Sequence, residues 1–147
     1  PLGSGATVCF VPDAARRDVT QLAECIVASR VDNVVLTPSV ATLLDWAALP
    51  QVRTLITVGE PPLPSVARTW SQGRRYVNAY GPAEATVCTC AFVGEPEGTE
   101  DSVPIGVPLA GVIVDIVDAR RQPMLAGTLG EIAISGCNVA QGYVGHA

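Results

Sequence analysis

Between residues 6 and 80 the apolar positions switch repeatedly between a period of two and a period near 3.6. Ala6 to Val11 is an apolar run that reads as a strand and stops at Pro12-Asp13. Val19, Leu22, Ala23, Ile26 and Val27 then fall on one helical face, with Asp18 and Gln21 spaced as a capping pair. Asn33 to Leu36 is a short buried strand that ends at Thr37-Pro38. Ser39 can cap a second helix with an inner face of Val40, Leu43, Leu44 and Ala47. Arg53 to Val58 is a third strand, broken by Gly59-Glu60-Pro61-Pro62. Leu63, Val66, Ala67 and Trp70 make a third amphipathic helix, and Arg75 to Tyr80 a fourth strand before Gly81-Pro82. Strands alternating with helices predict a parallel sheet with crossover helices.

The pattern changes after Tyr80. Thr86 to Val93 reads as another strand, and Gly94 to Asp101 as an acidic loop. Gly111 to Asp118 and Glu131 to Ser135 read as antiparallel partners around a turn at Ala119 to Gly130. Apart from one turn near Ala83, no helical pattern follows Trp70. The predicted class is therefore α/β, with a small antiparallel β meander at the end.

Charge removes several function classes. The 147 residues carry nine arginines, no lysine and fourteen acids, a net charge of −5. Such a chain lacks the basic footprint of a nucleic-acid or anionic-membrane binder. Without lysine, no phosphate-loop Lys, Schiff base or Lys general base can be completed by this chain alone. Apolar residues reach 48% and mean hydropathy is +0.35, yet no run approaches the ~20 apolar residues of a spanning helix. The surplus must be core, or a face that expects a partner. The pairs Arg16-Arg17, Arg74-Arg75 and Arg120-Arg121 read as solvated loop charges.

Five cysteines, at positions 9, 25, 88, 90 and 137, include no Cys-x-x-Cys. Cys88 and Cys90 on one strand face would stand about 7 Å apart, too far for an easy disulfide. They read as buried free thiols of a reducing compartment, and no signal-peptide pattern opens the chain, so the expected location is cytoplasmic. One histidine, His146, supplies neither a zinc set nor a convincing Ser-His-Asp triad. Pro1-Leu2-Gly3-Ser4 reads as the scar of a removed expression tag and is left out of the fold reasoning.

Open parallel sheets bind ligands beyond the carboxyl ends of their strands. That rule selects Leu36-Thr37-Pro38, Val58-Gly59-Glu60-Pro61 and Tyr80-Gly81-Pro82-Ala83-Glu84. In the last, Gly81 allows close backbone approach, Tyr80 offers a flat face and a hydroxyl, and Glu84 a hard oxygen suited to Mg²⁺. The same residues also read as half-buried core, an ordinary turn, and a carboxylate at a helix start.

Three ordered blocks carry a resemblance. Asn78-Ala79-Tyr80-Gly81-Pro82-Ala83-Glu84-Ala85-Thr86-Val87-Cys88, Val103-Pro104-Ile105-Gly106-Val107-Pro108, and Gly130 to Gly136 continuing through Val139-Ala140-Gln141-Gly142-Tyr143 resemble core motifs of adenylate-forming ligases. They most resemble the amino-acid-activating adenylation domains of nonribosomal peptide synthetases. The resemblance implies a partial flavodoxin-like sheet, in which residues 5–100 carry the substrate pocket and adenine-site wall. It makes residues 101–147 part of a β-barrel-like subdomain.

The resemblance also implies roles. Tyr80 stacks on adenine with Asn78 and Gly81 beside it; Gly59, Glu60 and Pro61 line the adenine edge with backbone atoms; Glu84 holds the Mg²⁺ that bridges ATP phosphates. The amino-acid side-chain pocket maps to Val35, Ile56, Val58, Ala79, Val87 and Cys88. An apolar set leaves a charged group unpartnered on burial, so the expected side chain is hydrophobic, aromatic included. Ala83 stands where a Thr is common, and Gln141 where an Arg is usual before Gly-Tyr. The family's phosphate loop and amino-group aspartate map before this sequence, and its ribose aspartate and catalytic lysine after it. The implied parent attacks the α-phosphorus of ATP with a carboxylate, then passes the acyl group to phosphopantetheine on a carrier domain, with a condensation domain nearby. The chain by itself is expected not to turn over, and to self-associate through faces that meet the rest of the parent. An acyl- or aryl-ligase fragment, a degenerate scaffold, and a stand-alone flavodoxin-like binding domain are the alternatives.

Overall fold

The structure, a computed structural model, describes residues 2–96 and 102–145. Among these the chain divides into two compact units, Pro1–Val77 with Val93–Val103, and Asn78–Phe92 with Pro104–Ala147. The expected α/β class holds.

In the first unit, helix α1 (Val19–Ala28) starts where Asp18 predicts. Asp18 Oδ1 accepts from the N–H groups of Thr20 (2.8 Å) and Gln21 (3.2 Å), and the Gln21 amide donates to Oδ2 (3.3 Å). Two otherwise unpaired helix donors are thereby satisfied. Leu22 and Ile26 are buried, whereas Val27 is exposed. Strand β1 (Asn33–Leu36) pairs in parallel with β2 (Thr54–Val58), Val35 opposite Ile56. Helix α3 (Pro64–Ser71) buries Val66, Ala67 and Trp70. Strand β3 (Arg75–Tyr80) begins in this unit, and the order here is β1-β2-β3. Along β2, Leu55 and Thr57 point into the core while Thr54, Ile56 and Val58 stay half-buried on the other face. Buried Thr57 meets buried Tyr76, one hydroxyl donating to the other across 2.8 Å.

Four expectations change in this unit. Ala6 to Val11 is not a strand: every residue of it is exposed. An apolar run becomes a strand only where a neighbour takes its backbone hydrogen bonds. Helix α2 (Pro38–Leu43) is shorter than predicted and starts from Thr37, because Pro38 fits the first helical position. Asp45 then caps a separate 3₁₀ turn, Trp46–Ala48. The buried residues are consequently Pro38, Ala41, Leu44 and Leu49, with Leu43 and Ala47 exposed. Lastly, Arg74 is no solvated loop charge. Its guanidinium lies 5.1 Å from the Trp46 ring centroid and 5.4 Å from that of Trp70, and donates to the Trp46 carbonyl (2.7 Å).

In the second unit, the end of β3 is followed by β4 (Cys90–Val93) and β5 (Val107–Pro108) in the order β3-β4-β5. Strands β4 and β5 are antiparallel, with Cys90 opposite Pro108. Strand β5 ends the order, and an edge is where proline is tolerated in a sheet. Strands β6 (Val112–Val117) and β7 (Glu131–Gly136) pair antiparallel from Val112–Gly136 to Val117–Glu131, as the sequence predicts. The predicted strand from Thr86 shrinks to β4, because Thr86 and Val87 both adopt positive φ, 53° and 72°. Cys88 therefore shares no strand face with Cys90. All five cysteines are free, but only Cys90 is buried, and Cys9 and Cys137 are exposed, which corrects the uniformly buried reading. No helix among the described residues is long and apolar enough to cross a membrane.

Candidate functional site

The candidate residues fall into two sets, one in each unit. In the first unit, Val35 and Ile56 are cross-strand partners, and Val58 lies two residues beyond Ile56 on the same face. This is the face that Val34, Leu55 and Thr57 leave free, and Val35 is 62% exposed on it. The result is a small apolar wall at the carboxyl ends of two parallel strands. At the end of β2, Gly59 adopts φ +93°, a turn conformation that glycine takes without strain. The Glu60 carboxylate is drawn to α2, accepting from the Ser39 N–H and Ser39 Oγ, both at 3.2 Å.

In the second unit, β3 alternates. Asn78 is buried, and its Nδ2 donates to the Pro104 carbonyl (2.9 Å). Ala79 points to the opposite side, and Tyr80 is half-buried. The Tyr80 carbonyl accepts from both the N–H (2.7 Å) and Oγ1 (3.0 Å) of Thr89. This brings the chain back so tightly that a Cβ on Gly81 would lie 2.7 Å from Val87 O and 2.8 Å from Cys88 Cα. Glycine is required there by close approach, since no side chain fits. Val87 is exposed, and burial raises the pKa of the half-buried Cys88 thiol.

Glu84 sits in a single 3₁₀ turn, Ala83–Ala85, and is exposed. Its carboxyl is held below its ordinary pKa first by its own backbone N–H and then by the Tyr143 hydroxyl, which donates to Oε1 (2.9 Å). The same contact raises the Tyr143 hydroxyl. A fixed, ionised oxygen donor of this kind fits Mg²⁺, which is commonly bound by one or two carboxylates together with phosphate oxygens and water. No cluster of three His, Cys, Asp or Glu residues exists among the described residues, and Glu84 is the single carboxylate of this turn. Predicted His146 lies outside the described residues.

Nothing in the sequence marks Asn138, the contact of Ser39 with Glu60, or the contact made by Tyr143. Tyr143 belongs to a recognised block, but nothing in its spacing says that it reaches Glu84. A shallow cavity of ≈ 550 Å³ lies elsewhere, lined by Val52, Arg53, Arg74 and Arg75 among others. It lies by the starting ends of β2 and β3, and none of the candidate residues lines it.

The protein family described as AMP-binding enzyme matches residues 1–144. The chain belongs to this family of adenylate-forming enzymes. As an AMP-binding enzyme chain it is 38% identical over 141 residues to novobiocin biosynthesis protein H of Streptomyces niveus, across 96% of its own length and 23% of the relative's. It is 33% identical over 140 residues to gramicidin S synthase 1 of Brevibacillus brevis, covering 95% of itself and 13% of that protein. Among solved structures, holo-PA1221, a nonribosomal peptide synthetase protein containing adenylation and PCP domains, superposes with TM-score 0.79 and 31% identity, over 88% of this chain and 24% of that one. The Vibrio cholerae adenylation domain AlmE, in complex with glycyl-adenosine-5'-phosphate, shares the fold at TM-score 0.77 and 24% identity, over 92% of this chain and 28% of that one. The AMP-binding enzyme chain thus spans a quarter or so of these relatives at most.

Proposed function

We propose that this chain supplies part of the specificity pocket and of the ATP–Mg²⁺ site of an amino-acid-activating adenylation domain. In the parent reaction the amino-acid carboxylate attacks the α-phosphorus of ATP, releasing pyrophosphate and leaving an aminoacyl-adenylate. The aminoacyl group then passes to the phosphopantetheine thiol of a carrier domain in a synthetase that also holds a condensation domain, and the parent works in the cytoplasm. The observation that carries this reading is Glu84: an exposed, ionised carboxylate in a turn fixed by Gly81 and Tyr143, four residues beyond Tyr80.

Tyr80 stacks on adenine beside Asn78 and Gly81, and the Gly59-Glu60-Pro61 backbone lines the adenine edge. Val35, Ile56, Val58, Ala79, Val87 and Cys88 surround the amino-acid side chain, which is hydrophobic, aromatic included, since none of the six offers a charge. Mg²⁺, when bound, neutralises phosphate charge as pyrophosphate leaves. The chain's own part is to hold reactants and keep Glu84 ionised. With no lysine in its sequence, the 147-residue chain does not turn over by itself. Its exposed apolar residues outside the pocket, among them Leu43, Leu63 and Leu129, meet the rest of the parent or, in isolation, a second copy.

The test is amino-acid-dependent ATP–pyrophosphate exchange by a parent polypeptide that contains this sequence, with the 147-residue chain and a Glu84→Ala parent alongside. Exchange with one hydrophobic amino acid, abolished in Glu84→Ala and absent from the short chain, is expected. Exchange only with acids lacking an amino group would replace the reading with an acyl or aryl ligase. Exchange with no acid would leave a non-catalytic scaffold.

A further inference from the structure

The Glu84 turn is held by residues more than fifty positions away. The Ala140 N–H donates to the Glu84 carbonyl (2.7 Å). Asn138 grips the next two residues, its Nδ2 donating to the Ala85 carbonyl (3.0 Å) and its own carbonyl accepting from Thr86 Oγ1 (2.7 Å). Tyr143 completes the set at the Glu84 carboxylate. Four hydrogen bonds therefore join one short segment, 138–143, to three consecutive residues, 84–86.

What they hold in place is strained. Thr86 and Val87 are β-branched residues with φ of 53° and 72°, and the Cys88 N–H turns back to the Thr86 carbonyl (2.9 Å). A left-handed conformation is costly for a β-branched residue and persists only where surrounding contacts over-determine it. Left to local preference these residues would extend, as the apolar run from Thr86 to Val93 suggests. Asn138 Oδ1 is also buried without a partner.

We infer that segment 138–143 is a positioning strap, with Asn138 and Tyr143 as positioning residues that set the Glu84 carboxylate and the turn leading to Cys88. Neither touches reacting atoms. The inference rests on the ATP–Mg²⁺ reading of Glu84 for its catalytic consequence, but its structural part can be tested alone.

Thr86→Val keeps β-branching and volume and removes only the hydroxyl that Asn138 accepts; Asn138→Ala removes the other grip. In the 147-residue chain, amide hydrogen exchange at Cys88 and Ala140 is expected to quicken about tenfold in either variant, the effect of one lost hydrogen bond. The β6–β7 amides should stay within twofold, which a general loss of structure would not allow. Unchanged exchange at Cys88 and Ala140 in Thr86→Val overturns the strap, and so does equal quickening of the β6–β7 amides. In the parent polypeptide, Tyr143→Phe and Thr86→Val should raise the Mg²⁺ concentration for half-maximal pyrophosphate exchange several-fold, with the amino-acid KM within threefold. If Glu84→Gln lowers exchange but these variants leave the Mg²⁺ midpoint in place, the strap has no catalytic consequence and the ATP–Mg²⁺ reading stands. If Glu84→Gln itself changes nothing, that reading fails, whatever the exchange data show.

Discussion

The β1–β2 wall and the Glu84 turn are built on opposite principles. The wall of Val35, Ile56 and Val58 stands on parallel strands whose other face is packed by Val34, Leu55 and Thr57. Its geometry follows from strand alternation and burial. The Glu84 turn has little apolar support beyond Ala85 and is fixed by hydrogen bonds to Asn138, Ala140 and Tyr143. An apolar wall can change its specificity by single substitutions without losing its frame. A polar turn keeps one charge in one place and tolerates little change.

The largest effect is expected at Gly106, just before β5. It has φ +82°, and a Cβ there would collide with the Ala91 carbonyl and the Phe92 amide nitrogen. Gly106→Ala should cost at least about 3 kcal/mol through overpacking and separate β4 from β5, read as a lower urea midpoint with β5 amides exposed to exchange. Leu55, fully buried behind the wall, comes next. Leu55→Ala should cost about 3 kcal/mol and loosen the β1–β2 amides, leaving exchange at Cys88 and Ala140 unchanged.

Thr57 and Tyr76 sharpen the contrast, since here the first unit depends on a polar contact. Thr57→Val strands a buried phenol hydroxyl and should cost about 2 kcal/mol. Adding Tyr76→Phe should recover most of that loss, since both partners are then apolar. Urea unfolding of the two variants measures the difference.

The smallest effects are those of pH. Asp18 is depressed below 3.8 by the α1 amides it caps, so its contribution is present above that value and is lost as pH falls through the folded pKa. Tyr143 is raised above 10.0 by Glu84, so the strap's bond persists below that value and is lost as pH climbs through the folded pKa. Falling pH should therefore first lower the exchange protection of the Thr20 and Gln21 amides, relative to their free rates at the same pH, and rising pH that of Cys88 and Ala140.

Elements set by period and punctuation were legible in the sequence: α1 from Asp18 and its apolar face, β1 and β3 to the residue, and the β6–β7 pairing. Expectation failed where tertiary context decides. Ala6 to Val11 has the residues of a strand but no partner for its backbone. Pro38 moved the start of α2, and Asp45 began a separate turn. At the candidate site, the turns carrying Gly59, Tyr80 and Glu84 could be located from strand ends. The contacts across 138–143 could not, because no local pattern tells Thr86 that its hydroxyl will meet Asn138, or Glu84 that its carboxylate will meet Tyr143.

On the proposed function, the ionised Glu84 carboxylate serves the metal–nucleotide half of the reaction while the β1–β2 wall serves the amino acid. The most direct test is the Mg²⁺ dependence of pyrophosphate exchange by the parent polypeptide carrying Glu84→Gln, which keeps shape and removes charge. A fall of about a hundredfold in kcat is expected, the scale of one lost transition-state contact. A higher Mg²⁺ midpoint and an amino-acid KM within threefold of the original are expected with it. An unchanged rate and midpoint, or a loss confined to amino-acid KM, would contradict the proposed function.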